Sequence, residues 1–329
     1  MSRSFFLFCC IIKKKVVYFY HTGVMIMMTF ERFRPEQRVE YQQYLRYASH
    51  RGAGFSFANL NMWGHQRATV RDGYLVIFSH FDGHTMYPFP AGQGDVKPVL
   101  DAILADAKER GIPCRITGLS ESERELLEKL YPGKFRFHCD RDSFDYVYDI
   151  NDLADLKGKR FQPKRNHVNR FLADHPDAQV KPLSEEDIPL CRELTDRWFA
   201  ERLAEDPTAD FQMERMALNR AYRNFRELGL EGLGLYVDGK LVAMTMGSFL
   251  SEDTMDIHFE KGDSAYPTSY AVINRAFARY LREKYPDLKY LNREDDMGKP
   301  GLRKAKLSYQ PHHMVSKCWA HYAGEEFND

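Results

Sequence analysis

The chain has 329 residues, 47 basic and 47 acidic groups, and a hydrophobic share of 43% that includes 14% aromatic residues. That is length for two domains with packed cores, and a zero formal net charge excludes a global basic field able to hold duplex DNA. The six cysteines (Cys9, Cys10, Cys114, Cys139, Cys191, Cys318) show no CxxC pairing or metal spacing, a pattern that suits a reducing compartment and sets the cytoplasm as the expected location.

Residues 1–27 are unlike the rest. They carry Arg3, Lys13, Lys14 and Lys15, no acid, and an apolar run FFLFCCII far shorter than the ~20 residues that span a bilayer. They read as an over-extended reading frame whose true start is Met25, Met27 or Met28, or as a short peripheral membrane anchor. A helix is expected over 35–50 after Pro35, with Val39, Tyr44, Leu45 and Tyr47 as its apolar residues. Short strands FSFANLNMW, RATV, GYLVIF and MYPFP follow, separated by Gly and Asp turns. His80, Asp82 and His84 offer a loop metal reading without a further ligand nearby, His312-His313 a weaker one, and no metal site is expected. A helix over 96–110 stops at Gly111, CRITGL is a strand, Ser120 to Glu123 forms a capping box for a helix ending near Tyr131, and FRFHCD is a strand. This is one α+β unit over 28–142, in which Trp63 and its aromatic neighbours read as core.

The second unit, 143–323, is followed by a tail at 324–329. DYVYD and QVKPL read as strands around a basic helix, Ser184 to Asp187 caps a long helix through Trp198, Phe199 and Leu203, and another helix spans 213–228 up to Gly229. A hairpin turns at Asp238-Gly239, TMDIHFE is a strand, and helix 268–284 buries Val272, Ala276, Phe277, Tyr280 and Leu281. Strand LKYL, a helix from Gly301 and a final strand HMVSKCWAHY complete the order of an acyltransferase domain of the GNAT type. No linker rich in Pro, Gly or Ser separates the halves, so they are expected to pack together.

Two helix starts carry the wrong charge. Unpaired N–H groups at a first turn favour acids, yet Arg303, Lys304 and Lys306 follow Pro300-Gly301, and Lys164 and Arg165 follow Pro163 beside Asn166 and Asn169. Val168, Phe171 and Leu172 set the apolar face of the second of these helices. Either an anionic substrate answers these charges or acids of the protein do, foremost Glu294, Asp295 and Asp296.

Asp256, His258 and Glu260 alternate onto one face of TMDIHFE, where a central strand should be buried on both sides. They line a cleft or form a satisfied network. Acyl transfer needs a base, for which His258 or Glu260 serves, while Asn292 and Arg293 at the end of the neighbouring strand are placed to bind a carbonyl oxygen. The acids at 294–296 either hold the amino group of an aminoacyl donor or solvate a turn. A coenzyme A pyrophosphate would need a Gly-rich turn before the next helix, but EKGDSAYPTSYAV has one glycine and an acid. Acetyl-CoA is therefore the alternative donor, and no cofactor is required.

NMWG near Asn61, FPAG at Phe89–Gly92, DYVYD at 145–149, LKGKRFQPKRNHVNRF at 156–171 and NREDDMGKPGLRKAKLSYQP at 292–311 together resemble an uncharacterised bacterial family related to the C-terminal domain of phosphatidylglycerol lysyltransferases. The resemblance covers about residues 28–323. It implies an α+β fold of two tandem GNAT-like domains, each a mixed, mostly antiparallel sheet flanked by helices. It also implies transfer of an amino acid from aminoacyl-tRNA, and it singles out Leu302, Arg303, Lys306, Tyr309 and Pro311. The membrane-spanning region of the lysyltransferases has no counterpart in the sequence. The expected activity is aminoacyl or acyl transfer to an amine or hydroxyl by the second domain, with the first forming one wall of a cleft. A binding module for an anionic ligand or RNA that has lost the reaction is the non-enzymatic alternative.

Overall fold

The computed structural model describes residues 27–48, 51–81 and 83–323, so the readings of residues 1–26, of Asp82 and of the tail lie outside the described residues. The first half runs β1 (Glu31–Arg32), α1 (Arg38–Leu45), α2 (Phe57–Met62), β2 (Arg67–Arg71), β3 (Tyr74–Phe81), β4 (His84–Pro88), β5 (Ala91–Gly92), α3 (Lys97–Arg110), β6 (Arg115–Leu119), α4 (Glu121–Leu130) and β7 (Phe135–Cys139). The second runs β8 (Asp145–Asp149), α5 (Ile150–Asp155), α6 (Gln162–Asp174), β9 (Gln179–Pro182), α7 (Ile188–Glu205), α8 (Gln212–Arg223), β10 (Glu231–Val237), β11 (Lys240–Ser251), β12 (Thr254–Gly262), α9 (Ser269–Lys284), β13 (Tyr290–Asn292), α10 (Pro300–Leu307), β14 (His313–Val315) and β15 (Cys318–Tyr322).

Local signals account for most of these limits. Gly111 ends α3 in the left-handed region at φ 65°, and the capping boxes at Ser120 and Ser184 form as expected. Asp238 (φ 50°) and Gly239 (φ 77°) make the tight turn between β10 and β11. Other expectations fail. FSFANLNMW is not a strand: the Ser56 hydroxyl accepts from the Asn59 N–H and starts α2, in which Asn59 and Asn61 alternate with Leu60 and Met62 and so imitate strand periodicity. Tyr41 rather than Val39 turns α1 inward, Leu172 is exposed on α6, and α8 stops at Arg223. HMVSKCWAHY is two strands in two different sheets.

The first sheet has the order β1-β2-β3-β4-β6-β15-β7, with β5 beside β3, and the second β14-β8-β13-β12-β11-β10-β9. β15 lies between β6 and β7, antiparallel to both, so the end of the chain closes the first sheet. There Cys318 faces Cys139, with Cα atoms 4.3 Å apart, and the two are disulfide-bonded. This corrects the reading of unpaired cysteines: strand pairing brings together residues 179 positions apart, a separation without sequence signal.

Three apolar layers hold the molecule. One packs the first sheet on α3 and α4, and one packs the second sheet on α5, α6 and α9. Between them lies a core shared by both halves, in which Phe33, Phe57 and Leu60 meet Leu194, Phe199, Met244 and Phe259. The halves therefore pack together over a continuous core.

Candidate active site

The second sheet opens between β12 and β13. These two strands, its one parallel pair, are in register only over Thr254–Asp256 and Tyr290–Asn292. Beyond Asn292 the chain leaves β12 and follows β8: the Arg293 N–H donates to the Tyr146 carbonyl at 2.9 Å, the Tyr146 N–H to the Glu294 carbonyl at 3.1 Å, and Glu294 takes φ 57°. β12 continues to Gly262 against β11. Its free edge borders a cavity of about 660 Å³ walled by Lys164 and His167 of α6, Trp198 of α7, Glu214 of α8, the start of α9, and α10 with Tyr309.

A β-bulge decides what faces this cavity. Phe259 pairs with Met246 and Ile257 with Gly247, so His258 is the extra residue and the alternation resets at it. Asp256 and His258 stay on the side of the first half, with His258 Nε2 2.8 Å from Ser248 Oγ. Glu260 turns to the opposite side, where it pairs with Arg293 at 2.9 Å and accepts from Asn274 at 3.3 Å. The expected common face of these three side chains is therefore split, a correction that follows from one inserted residue. Lys261 points back to the first side, paired with Glu214 at 2.6 Å and 3.4 Å above the Trp198 ring.

Three cavity lysines have no carboxylate in ion-pair distance among the described residues: Lys164, Lys299 and Lys306. Lys164 Nζ sits 4.0 Å above the Tyr309 ring, and burial together with Arg293 lowers its pKa. Lys306 is buried and gives protons to the backbone carbonyls of Arg293 and Glu294. Burial, reinforced by the Arg293 charge, pushes it down to about 8. Glu294 reaches the cavity with Oε1 turned to Asn59 and His258.

Of the residues singled out in the sequence, His258, Glu260, Arg293, Glu294, Leu302, Lys306, Lys164 and Tyr309 converge here. The others do not. Asn292 is fully buried beside the cavity, donating to Asp145 and the Arg51 carbonyl and accepting from the Glu294 N–H, which leaves its amide no free donor for a carbonyl oxygen. Asp295 pairs with Lys317 at 2.9 Å. Asp296 is held by Arg303, whose hydrogen bonds keep its carboxyl well below the usual range. Arg303 also pairs with Asp142 at 2.5 Å, so the misplaced charge at the start of α10 is answered by the protein. Lys304 is exposed. Arg165 closes the loop before α6 through the carbonyls of Leu156 and Gly158, Asn166 accepts from Gln162, and Asn169 is exposed outside the cavity. Trp198, Glu214, Lys261 and Lys299 were missed because only the helix packing and the bulge direct them inward.

The turn before α9 has its own anion. Asp263 Oδ1 accepts from the Ala265 N–H at 3.0 Å, Oδ2 pairs with Lys240 at 2.7 Å, and the N–H groups of Tyr266, Ser269 and Ala271 donate to loop carbonyls. A pyrophosphate there would meet a carboxylate and few free donors.

Residues 45–321 match the family described as phosphatidylglycerol lysyltransferase, C-terminal. A conserved protein of unknown function from Bacteroides thetaiotaomicron VPI-5482 has 37% identity and a TM-score of 0.85, covering 90% of this chain and all of that one. L-PGS from Bacillus licheniformis shares the fold at 16% identity and a TM-score of 0.64, with 90% of this chain and 94% of that one covered. An uncharacterised protein of Mycoplasmoides gallisepticum is 29% identical over 177 residues, 53% of this chain and 55% of its own length, so the match spans about half of that curated relative. The chain belongs to the phosphatidylglycerol lysyltransferase C-terminal family and shares the fold of L-PGS.

Proposed function

We propose that the protein is an acyltransferase of the aminoacyl type, which moves an amino acid from aminoacyl-tRNA to an amine or hydroxyl acceptor. The observation that carries this reading is the charge of the cavity, where Lys164, Lys299 and Lys306 lack carboxylate partners among the described residues and Glu294 shares the lining. Such a site suits a donor that is anionic through phosphate and cationic through its amino group. The acceptor attacks the ester carbonyl of the donor and the ribose oxygen leaves with a proton. Lys306 is aimed to stabilise the oxyanion, Lys164 to hold the phosphate-bearing end, and the outer oxygen of Glu294 to meet the amino group. Family membership supports transfer chemistry, and the occupied turn at Asp263 argues against a coenzyme A donor.

Titration of the full chain with a mixed aminoacyl-tRNA pool, uncharged tRNA and acetyl-CoA, followed by acceptor-dependent loss of the aminoacyl group, tests the proposal. Salt-sensitive binding that prefers charged tRNA and weakens about tenfold in Lys164→Ala is expected. Saturable acetyl-CoA binding alone would replace it with an ordinary acetyltransferase. Charged-tRNA binding without loss of the aminoacyl group to any acceptor would leave a binding module.

A further inference from the structure

Behind the cavity, on the side of the bulge facing the first half, a cluster of donor atoms lacks anything to bind. Asp256 is fully buried, and apart from a weak approach of the Ser56 hydroxyl neither of its carboxylate oxygens has a hydrogen-bond partner. His258 Nδ1 is likewise buried and unpartnered, 3.3 Å from Asp256 Oδ2 and 3.6 Å from Glu294 Oε1. The other ring nitrogen explains its state. Nε2 lies 2.8 Å from Ser248 Oγ, which lies 3.3 Å from Ser56 Oγ, the N-cap of α2. In the arrangement where Ser248 donates to Ser56, it accepts the Nε2 proton and Nδ1 presents a lone pair to two carboxylates.

Among the described residues the neighbouring cations are committed elsewhere. Lys317 serves Asp145 and Asp295 at 2.6 and 2.9 Å, Arg293 serves Glu260, and Lys306 serves two carbonyl oxygens. Among the described residues no lysine or arginine pairs with Asp256. We infer that Asp256, His258 and Glu294 bind a first-row divalent cation. Their donor atoms all lie within 4.8 Å of one another. Two ligands of one ion with bonds near 2.1 Å stand roughly 3.4 Å apart at the tetrahedral angle, close to the two separations on His258. Asp256 and His258 are held by the centre of a sheet, and Ser248 Oγ orients the imidazole through Nε2 as supporting residues of metal sites do. Because His258 and Glu294 also border the cavity, a remaining coordination position would face it.

The inference is independent of the transfer reaction and is tested without turnover. The full chain, in a His312→Ala/His313→Ala background that removes the surface pair with Nδ1 atoms 2.9 Å apart, is stripped with chelator and titrated with Zn2+ and Co2+. One equivalent is expected to bind, with Co2+ giving visible absorption that Zn2+ abolishes. Asp256→Asn and Glu294→Gln should each weaken binding at least tenfold. Metal-free Asp256→Asn should melt no lower than the metal-free parent, which guards against loss of fold. Absence of binding in the parent, or equal binding by a folded Asp256→Asn, would overturn the assignment and leave a shared proton as what holds the cluster together.

Discussion

Lys306 is the residue whose environment says most about its work. A buried ammonium with two carbonyl partners and a pKa pushed down to about 8 is charged at neutral pH and neutral only a little above it. If its charge stabilises the oxyanion, kcat/KM holds below pH 8 and falls as pH rises through that value. Lys306→Arg, which stays charged, should move that limb upward, whereas Lys306→Met should lower kcat about 100-fold while leaving donor affinity nearly intact. The pair Arg293–Glu260 invites a second measurement. Both side chains are largely buried, so Arg293→Met strands the carboxylate and should cost about 3 kcal/mol in urea unfolding, and the double variant Arg293→Met/Glu260→Met should recover most of it. The individual charges were legible in the sequence. Their pairing was not, because Arg293 reaches Glu260 only where two strands part.

At the scale of elements, the two basic helix starts have different fates. α6 delivers Lys164 to the cavity, whereas α10 anchors Arg303 to Asp296 and Asp142. Arg303→Gln is therefore expected to lower the urea midpoint, since it frees the fully buried Asp296, without changing affinity for charged tRNA. A comparable loss of tRNA affinity would return Arg303 to the binding surface. The charge anomaly was visible in the sequence at both helices, but which one meets a ligand depends on what packs beside it. The β12 bulge teaches the same lesson: one extra residue sends His258 and Glu260 to opposite sides of the sheet, and strand periodicity carries no mark of it.

Across the whole molecule, the two halves are joined three ways: by the middle core, by polar contacts such as Ala53 N–H to Asp145 and Asn59 to Glu294, and by β15. A chain ending at residue 316 removes β15 from between β6 and β7 and should lose cooperative unfolding of the first sheet. Cys139→Ala/Cys318→Ala keeps the strand and removes only the staple, at an expected cost of about 2–4 kcal/mol by urea unfolding under non-reducing conditions. Equal stability with and without reductant in the parent would show that the bond contributes nothing.

By itself the sequence determined most of the element order, the capped helix starts, the Asp238-Gly239 hairpin, the family and the concentration of charge in 156–171 and 292–311, because local backbone preference and short-range patterning are written along the chain. Tertiary structure alone decided the bulge, the parting of β12 from β13, the return of β15 to the first sheet and the disulfide it carries. It also decided which of many charges stay without a partner, since each of these depends on residues far apart in sequence.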